Sequence, residues 1–157
     1  MKALSWKQPF ASLMLHGKIE TRVWKTDYRG QVLICASKKP YSLQEVLNIC
    51  GDYQFTRIMN TLGLRDPGDF NDLNCGYAIA VGDLVDCRPM KKEDENLGFV
   101  QYNPVLWCHI YQNVKPIVPF LFKGRQGWTN VDESILKQIK YESIEEQLKN
   151  FVKELKK

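Results

Sequence analysis

The chain has 157 residues, of which 44% are hydrophobic and 25% charged, the make-up of one folded domain and not of a disordered or fibrous chain. Its apolar runs fall far short of the ~20 residues a membrane helix requires, and the opening MKALSWKQPF lacks an apolar signal core. A cytoplasmic, non-membrane protein is expected. The net charge of +4 is too mild for a dedicated duplex-DNA binder, although cations gather between residues 18 and 39. That local bias suits a nucleotide-sized or single-stranded partner.

Residues 3–6 read as a short strand. Pro9 then suits the first position of a helix running through FASLMLH, and Gly17 suits its left-handed stop. Residues 18–24 and 31–36 read as strands joined by the turn DYRG. Ser42 and Glu45 have the spacing of a capping box that opens a helix to about Cys50, and a further helix is expected over 53–62. Residues 63–74 are loop chemistry throughout. Three strands are expected next, over 76–88, 105–114 and 117–122, with Gly82 marking a bulge or a close backbone approach and Pro119 an edge or bulge. The acidic run KKEDEN between the first two reads as a loop. After KGRQGW the chain turns helical, and Ser143 and Glu146 form a second capping box. Ile144, Leu148, Phe151, Val152 and Leu155 make one apolar stripe, expected to dock on the domain. The element order predicts an α+β domain around a small curled mixed sheet.

The five cysteines (Cys35, Cys50, Cys75, Cys87 and Cys108) are scattered singly, which argues for reduced thiols and against a disulfide framework or zinc knuckle. His16 and His109 are the only histidines and have no third ligand nearby, so structural roles are expected. Neither a metal nor another cofactor is expected.

The densest chemistry lies in Gly17-Lys18-Ile19-Glu20-Thr21-Arg22-Val23-Trp24. Alternation on a strand puts Lys18, Glu20, Arg22 and Trp24 on one face and Ile19, Thr21 and Val23 on the other. Ile19 and Val23 are then expected in the core. The polar face offers an ammonium, a carboxylate, a forked guanidinium and a stacking indole, a set suited to phosphate and base edges. The alternative is a solvated strand face of mutually neutralising charges. Trp6 and Phe10 flank Gln8-Pro9 and are candidates to line a cleft, against ordinary core packing. Lys123-Gly-Arg-Gln126-Gly-Trp128 is a candidate phosphate or base clamp, against an exposed hairpin loop.

The pieces Leu4-Ser5-x-x-Gln8-Pro9-x-Ala11-Ser12-Leu13, Gly17-Lys18-x-Glu20-x-Arg22-x-Trp24, Tyr28-Arg29-Gly30 and Lys123-Gly124-x-Gln126-Gly127-Trp128 resemble the ASCH domain family. The resemblance runs over most of residues 2–132. It implies a PUA-like fold, a small mixed β-barrel with flanking helices, whose cleft takes RNA or a nucleobase. Some small relatives deacetylate N4-acetylcytidine with a lysine, a threonine and a glutamate; nuclease activity is attributed to at least one member, and other relatives belong to transcription coactivators. The family signature Gly-x-Lys-x-x-Glu-x-Arg is shortened here, with Lys18 two residues before Glu20 instead of three. Counted back from Arg22, the threonine position holds Glu20.

The resemblance therefore implies an ASCH domain over 1–132, with 133–157 as a helical extension packed on it. Its function would be RNA or nucleoside binding. Trp6, Gln8, Lys18, Glu20, Arg22, Trp24, Lys123 and Gln126 are the expected ligand-binding residues. The first alternative is an amidohydrolase or nuclease acting on a modified nucleoside, with Lys18 and Asp83 as catalytic residues. The second alternative is a protein-interaction module.

Overall fold

The computed structural model describes residues 1–156, without the side chains of 67–69. Six strands form one mixed sheet: β1 (Lys2–Trp6), β2 (Glu20–Arg22), β3 (Gly30–Ala36), β4 (Tyr77–Pro89), β5 (Trp107–Leu121) and β6 (Thr129–Asn130). The strand order is β2-β5-β4-β3-β1-β6. β1 runs parallel to β3, and the other pairings are antiparallel. Among the described residues five α-helices flank the sheet: α1 (Phe10–Leu13), α2 (Leu43–Leu62), α3 (Glu95–Gly98), α4 (Glu133–Leu136) and α5 (Ile144–Leu155).

The sheet curls strongly. β2 is one edge and β1 lies four places away, yet the Arg22 guanidinium on β2 donates through Nη2 to the Ser5 carbonyl on β1 at 2.9 Å. Backbone pairing does not close the ring there; a side chain spans the seam. The fold is the α+β, PUA-like small barrel that the resemblance implied.

Strand alternation sorts the core into two layers. On β3, Val32 and Ile34 join the large cluster with Leu4, Trp6, Leu13 and Ile58. Leu33 and Cys35 point the other way, to a smaller cluster with Ala3, Val81 and Ile117, against which Ile135 and Ile139 pack. The thiols behave as apolar core groups: burial pushes Cys35 up to about 12 and, with Asp94 beside it, Cys108 up to about 11.

Several expectations are refined by the packing. The helix opened by Ser42 does break after Cys50, because Gly51 takes φ 77°, and the chain then resumes its helix to Leu62. Residues 67–72, expected as loop, make a 3-10 turn. The strands expected over 105–114 and 117–122 are one strand, β5. β2 pairs with β5 only at Trp107, Cys108 and His109. The register of β5 against β4 shifts between Phe120 and Pro116, so Pro119 lies in a bulge. Gly82 also sits at a register shift, where a Cβ would stand 2.9 Å from Val114 Cγ2.

The KKEDEN run is structured. Asp94 accepts both guanidinium arms of Arg88, at 2.7 and 2.8 Å, and the Lys91 amide at 2.8 Å. These bonds hold the Asp94 carboxyl far below the usual carboxylate range. The tail divides at residue 142. The segment before it is tied to β5 by Val118 N to Lys140 O and Glu142 N to Pro116 O. In α5, by contrast, the stripe expected to dock is exposed at every position, from 46% at Val152 to 77% at Ile144.

Candidate functional site

The seam between β1 and β2 opens as a cleft of about 340 Å³. Gly17, with φ 80°, ends the first helical stretch and turns the chain so that Ile19 N donates to Leu97 O before β2 begins. That path delivers Lys18, Glu20 and Arg22 to the cleft, with Trp6, Phe10 and Tyr41 as its aromatic lining.

Ile19 packs against the large core cluster as expected, but Val23 does not: it is 70% exposed, whereas Lys18 is 3% exposed and Glu20 5%. The polar face looks inward to the seam, where its charges pair with one another. Glu20 Oε1 accepts from Lys18 Nζ at 3.1 Å and from the Thr21 amide at 3.0 Å. Glu20 Oε2 accepts from Arg22 Nε at 3.0 Å. Lys18 Nζ also donates to the Ile19 carbonyl at 2.9 Å and lies 5.4 Å from the Phe10 ring centre. The carboxylate thus bridges two cations in a nearly dry setting.

Burial dominates Lys18: desolvation of the ammonium holds its pKa below the ordinary lysine range, although Glu20 pulls the other way. For Glu20, burial alone would raise the pKa, but Lys18, Arg22 and their hydrogen bonds outweigh it and hold the carboxyl ionised. Arg22 lies over two indoles, 5.2 Å from the Trp6 centre and 5.8 Å from the Trp24 centre. Its Nη1 has no hydrogen-bond partner among the described residues.

Of the expected ligand-binding residues, Trp6, Lys18, Glu20, Arg22 and Gln126 line this cleft. Lys123 and Gln126 border an adjoining groove. Gln8 does not face the cleft. It is fully buried, and its amide donates to Ser12 Oγ and Asn74 O while accepting from the Ser12 amide. Gln8 therefore anchors α1 and leaves no edge for a ligand. Trp24 is not in the cleft lining; it makes T-shaped contacts with His109 and Trp128 and lies beneath the Arg22 guanidinium.

Asp83 is also displaced from its expected place. It pairs with Gln31 across β3 and accepts from Asn113 Nδ2 at 3.2 Å, and it does not line the cleft with Lys18. Thr21 borders the cleft, although alternation put it on the opposite face. His109 is buried, donates from Nε2 to the Trp24 carbonyl at 2.9 Å, and is held below its ordinary pKa by burial. No group of His, Cys, Asp and Glu among the described residues is arranged to hold a metal ion.

Tyr41 and Lys7 were not singled out from the sequence. Tyr41 enters the cleft because its amide donates to the Gln8 carbonyl at 2.9 Å, a long-range bond without any local pattern. Its ring meets Phe10 edge-on at 5.8 Å, and Lys7 Nζ stands 5.0 Å above it.

No family model matches the chain. Curated relatives do. The chain is similar to Activating signal cointegrator 1 of Mus musculus and of Homo sapiens, each 31% identical over 136 residues that cover 84% of this chain. Those residues make up 22% of each relative, so the chain spans about a fifth of their length. Among the described residues no helix is long and apolar enough to cross a membrane.

Proposed function

We propose that this chain is an ASCH-type domain that binds RNA or a nucleoside in the β1–β2 cleft. The observation that carries the reading is the buried Lys18–Glu20–Arg22 network, which presents a fixed guanidinium at the mouth of an aromatic-lined pocket. A volume of about 340 Å³ is near the small end of ligand pockets, ~300–1,000 Å³, and suits one base with its sugar. Tyr41 and Phe10 supply stacking surface, and Arg22 Nη1 is free to donate to a carbonyl or phosphate oxygen. Similarity to Activating signal cointegrator 1 supports the family assignment.

The test is anisotropy of a fluorescein-labelled single-stranded RNA. Arg22→Ala is expected to weaken binding by about 1–3 kcal/mol, the loss of one charge-assisted contact. Because Arg22 also spans the seam, Lys7→Gln serves as a second variant: its side chain is exposed, so the fold is kept and affinity falls by a smaller factor. Wild-type affinity in both variants would sink the reading.

A hydrolase reading has one observation in its favour, the lowered pKa of Lys18, since a neutral amine can act as base or nucleophile. It lacks the second group, because Asp83 is outside the cleft and Glu20 is committed to three donors. N4-acetylcytidine is accordingly expected to release no cytidine above background. Chromatography of the incubation checks this, with Lys18→Ala as control; rapid release lost in that variant would put the amidohydrolase first. The exposed α5 stripe supports an additional protein-interaction role for the tail, beside the cleft and not in place of it.

A further inference from the structure

Beside the cleft lies a groove of about 1040 Å³. The two cavities share Ser5, Lys7, Arg22, Ser37 and Gln126, so they adjoin along those residues. Five cations border the groove: Lys7, Arg22, Lys38, Lys123 and Arg125. No carboxylate among the described residues lines it, and Glu20 is the sole one lining the cleft. A concave wall of one sign concentrates its field on the opposite charge.

The charges are free to act. Lys7, Lys38, Lys123 and Arg125 are exposed, and none takes part in a salt bridge among the described residues. The loop that carries Lys123 and Arg125 is held close to β1, since a Cβ on Gly124 would overlap Ser5 Oγ. Arg22 stands at the junction, tied to Glu20 and Ser5 through Nε and Nη2, with Nη1 left over.

We infer that this groove is a phosphodiester track: the natural ligand of the cleft is a single-stranded oligonucleotide whose flanking phosphates run past Arg22 onto Lys123 and Arg125. The inference rests on the nucleic-acid reading above and narrows it, because a free nucleoside would leave the groove unused. Unpaired cations spaced along a channel next to an aromatic pocket fit an anionic chain with a base at one point.

The experiment compares an RNA octamer of randomised sequence with an uncharged methylphosphonate octamer, using wild-type protein and the double variant Lys123→Gln/Arg125→Gln. Both substituted side chains are exposed, so folding is kept, and circular dichroism checks it. Wild type is expected to prefer the phosphodiester by at least about tenfold. The double variant should lose most of that preference, and its salt slope should fall by about 1.4, or ~0.7 for each of two phosphates. Affinity for the methylphosphonate should stay within about twofold. A double variant that keeps the wild-type preference and slope overturns the track while leaving the Arg22→Ala effect in place. If neither octamer binds the wild type, the cleft reading itself falls, and the track with it.

Discussion

Glu20→Ala is expected to lower folding stability by about 3–5 kcal/mol, measured as a shift in urea unfolding. The carboxylate is 7% exposed at its side chain and joins Lys18, at 1%, to Arg22, at 22%. Without it, the Lys18 ammonium keeps only the Ile19 carbonyl as acceptor, in a site too dry to hydrate it. Arg22 fares better because it is partly open to solvent and retains Ser5 O. The double variant Lys18→Met/Glu20→Ala should therefore be more stable than Glu20→Ala alone, since the stranded charge is gone. A loss below about 1 kcal/mol in Glu20→Ala would mean that water reaches the pair and that the network is not a dry one.

The pH dependence follows from the same geometry. Glu20 has a lower pKa folded than unfolded, so its contribution is complete above the ordinary carboxylate range. That contribution is lost as pH falls through the depressed folded value. Lys18 also has a lowered folded pKa, so the unfolded chain holds its proton more tightly. Stability then rises with pH between that lowered value and the ordinary lysine value. The difference between wild type and Lys18→Met should move in favour of wild type across this window.

Local chemistry was legible where it is self-contained. The capping boxes at Ser42 and Ser143 form as spaced, Gly17 takes its left-handed stop, and the buried strand over 31–36 is β3. The gathering of Lys18, Glu20 and Arg22 on one face was legible from period two alone. Which way that face points was not. Periodicity reports that two faces differ, and the rule that apolar faces go inward then puts Val23 in the core. Here the inward side of β2 is a seam bordered by Ser5, Trp6 and Phe10, and paired charges fill it. Such a seam exists only once the sheet has curled, a property of six strands together.

The other departures have the same origin in long-range partners. Gln8 looked available for a ligand, yet its side chain is taken up by Ser12, four residues on, and by Asn74 O from 66 positions away. Asp83 beside Gly82 looked placed for chemistry, but its position on β4 sets it against Gln31 and Asn113. β6 has two residues and α3 four, too few to show any period. The gap at Lys115-Pro116 divided β5 on paper, yet Pro116 stands opposite Ala80 in the ladder and Pro119 is taken up by the register shift beyond it.

Trp6→Ala is expected to cost about 3–5 kcal/mol, while Trp6→Phe should cost well under half of that. Trp6 is 2% exposed, meets Tyr111 edge-on at 5.8 Å, and lies in the large core cluster as well as in the cleft lining. Its removal opens a cavity at the seam that β1 and β2 cannot close by pairing. Its indole Nε1, however, has no hydrogen-bond partner among the described residues, so phenylalanine forfeits packing area and no hydrogen bond. The same pair separates stability from binding. Arg22 rests 5.2 Å from the Trp6 ring centre, a cation–π contact worth about 0.5–2 kcal/mol that a phenyl ring keeps in part. RNA affinity should therefore fall by no more than about threefold in Trp6→Phe, but by tenfold or more in whatever Trp6→Ala protein remains folded, because the guanidinium loses the surface that aims it. Urea unfolding and RNA anisotropy on the two variants check both halves. Equal damage from phenylalanine and alanine would show that the indole N–H has an essential partner and that Arg22 is aimed by something other than the ring beneath it.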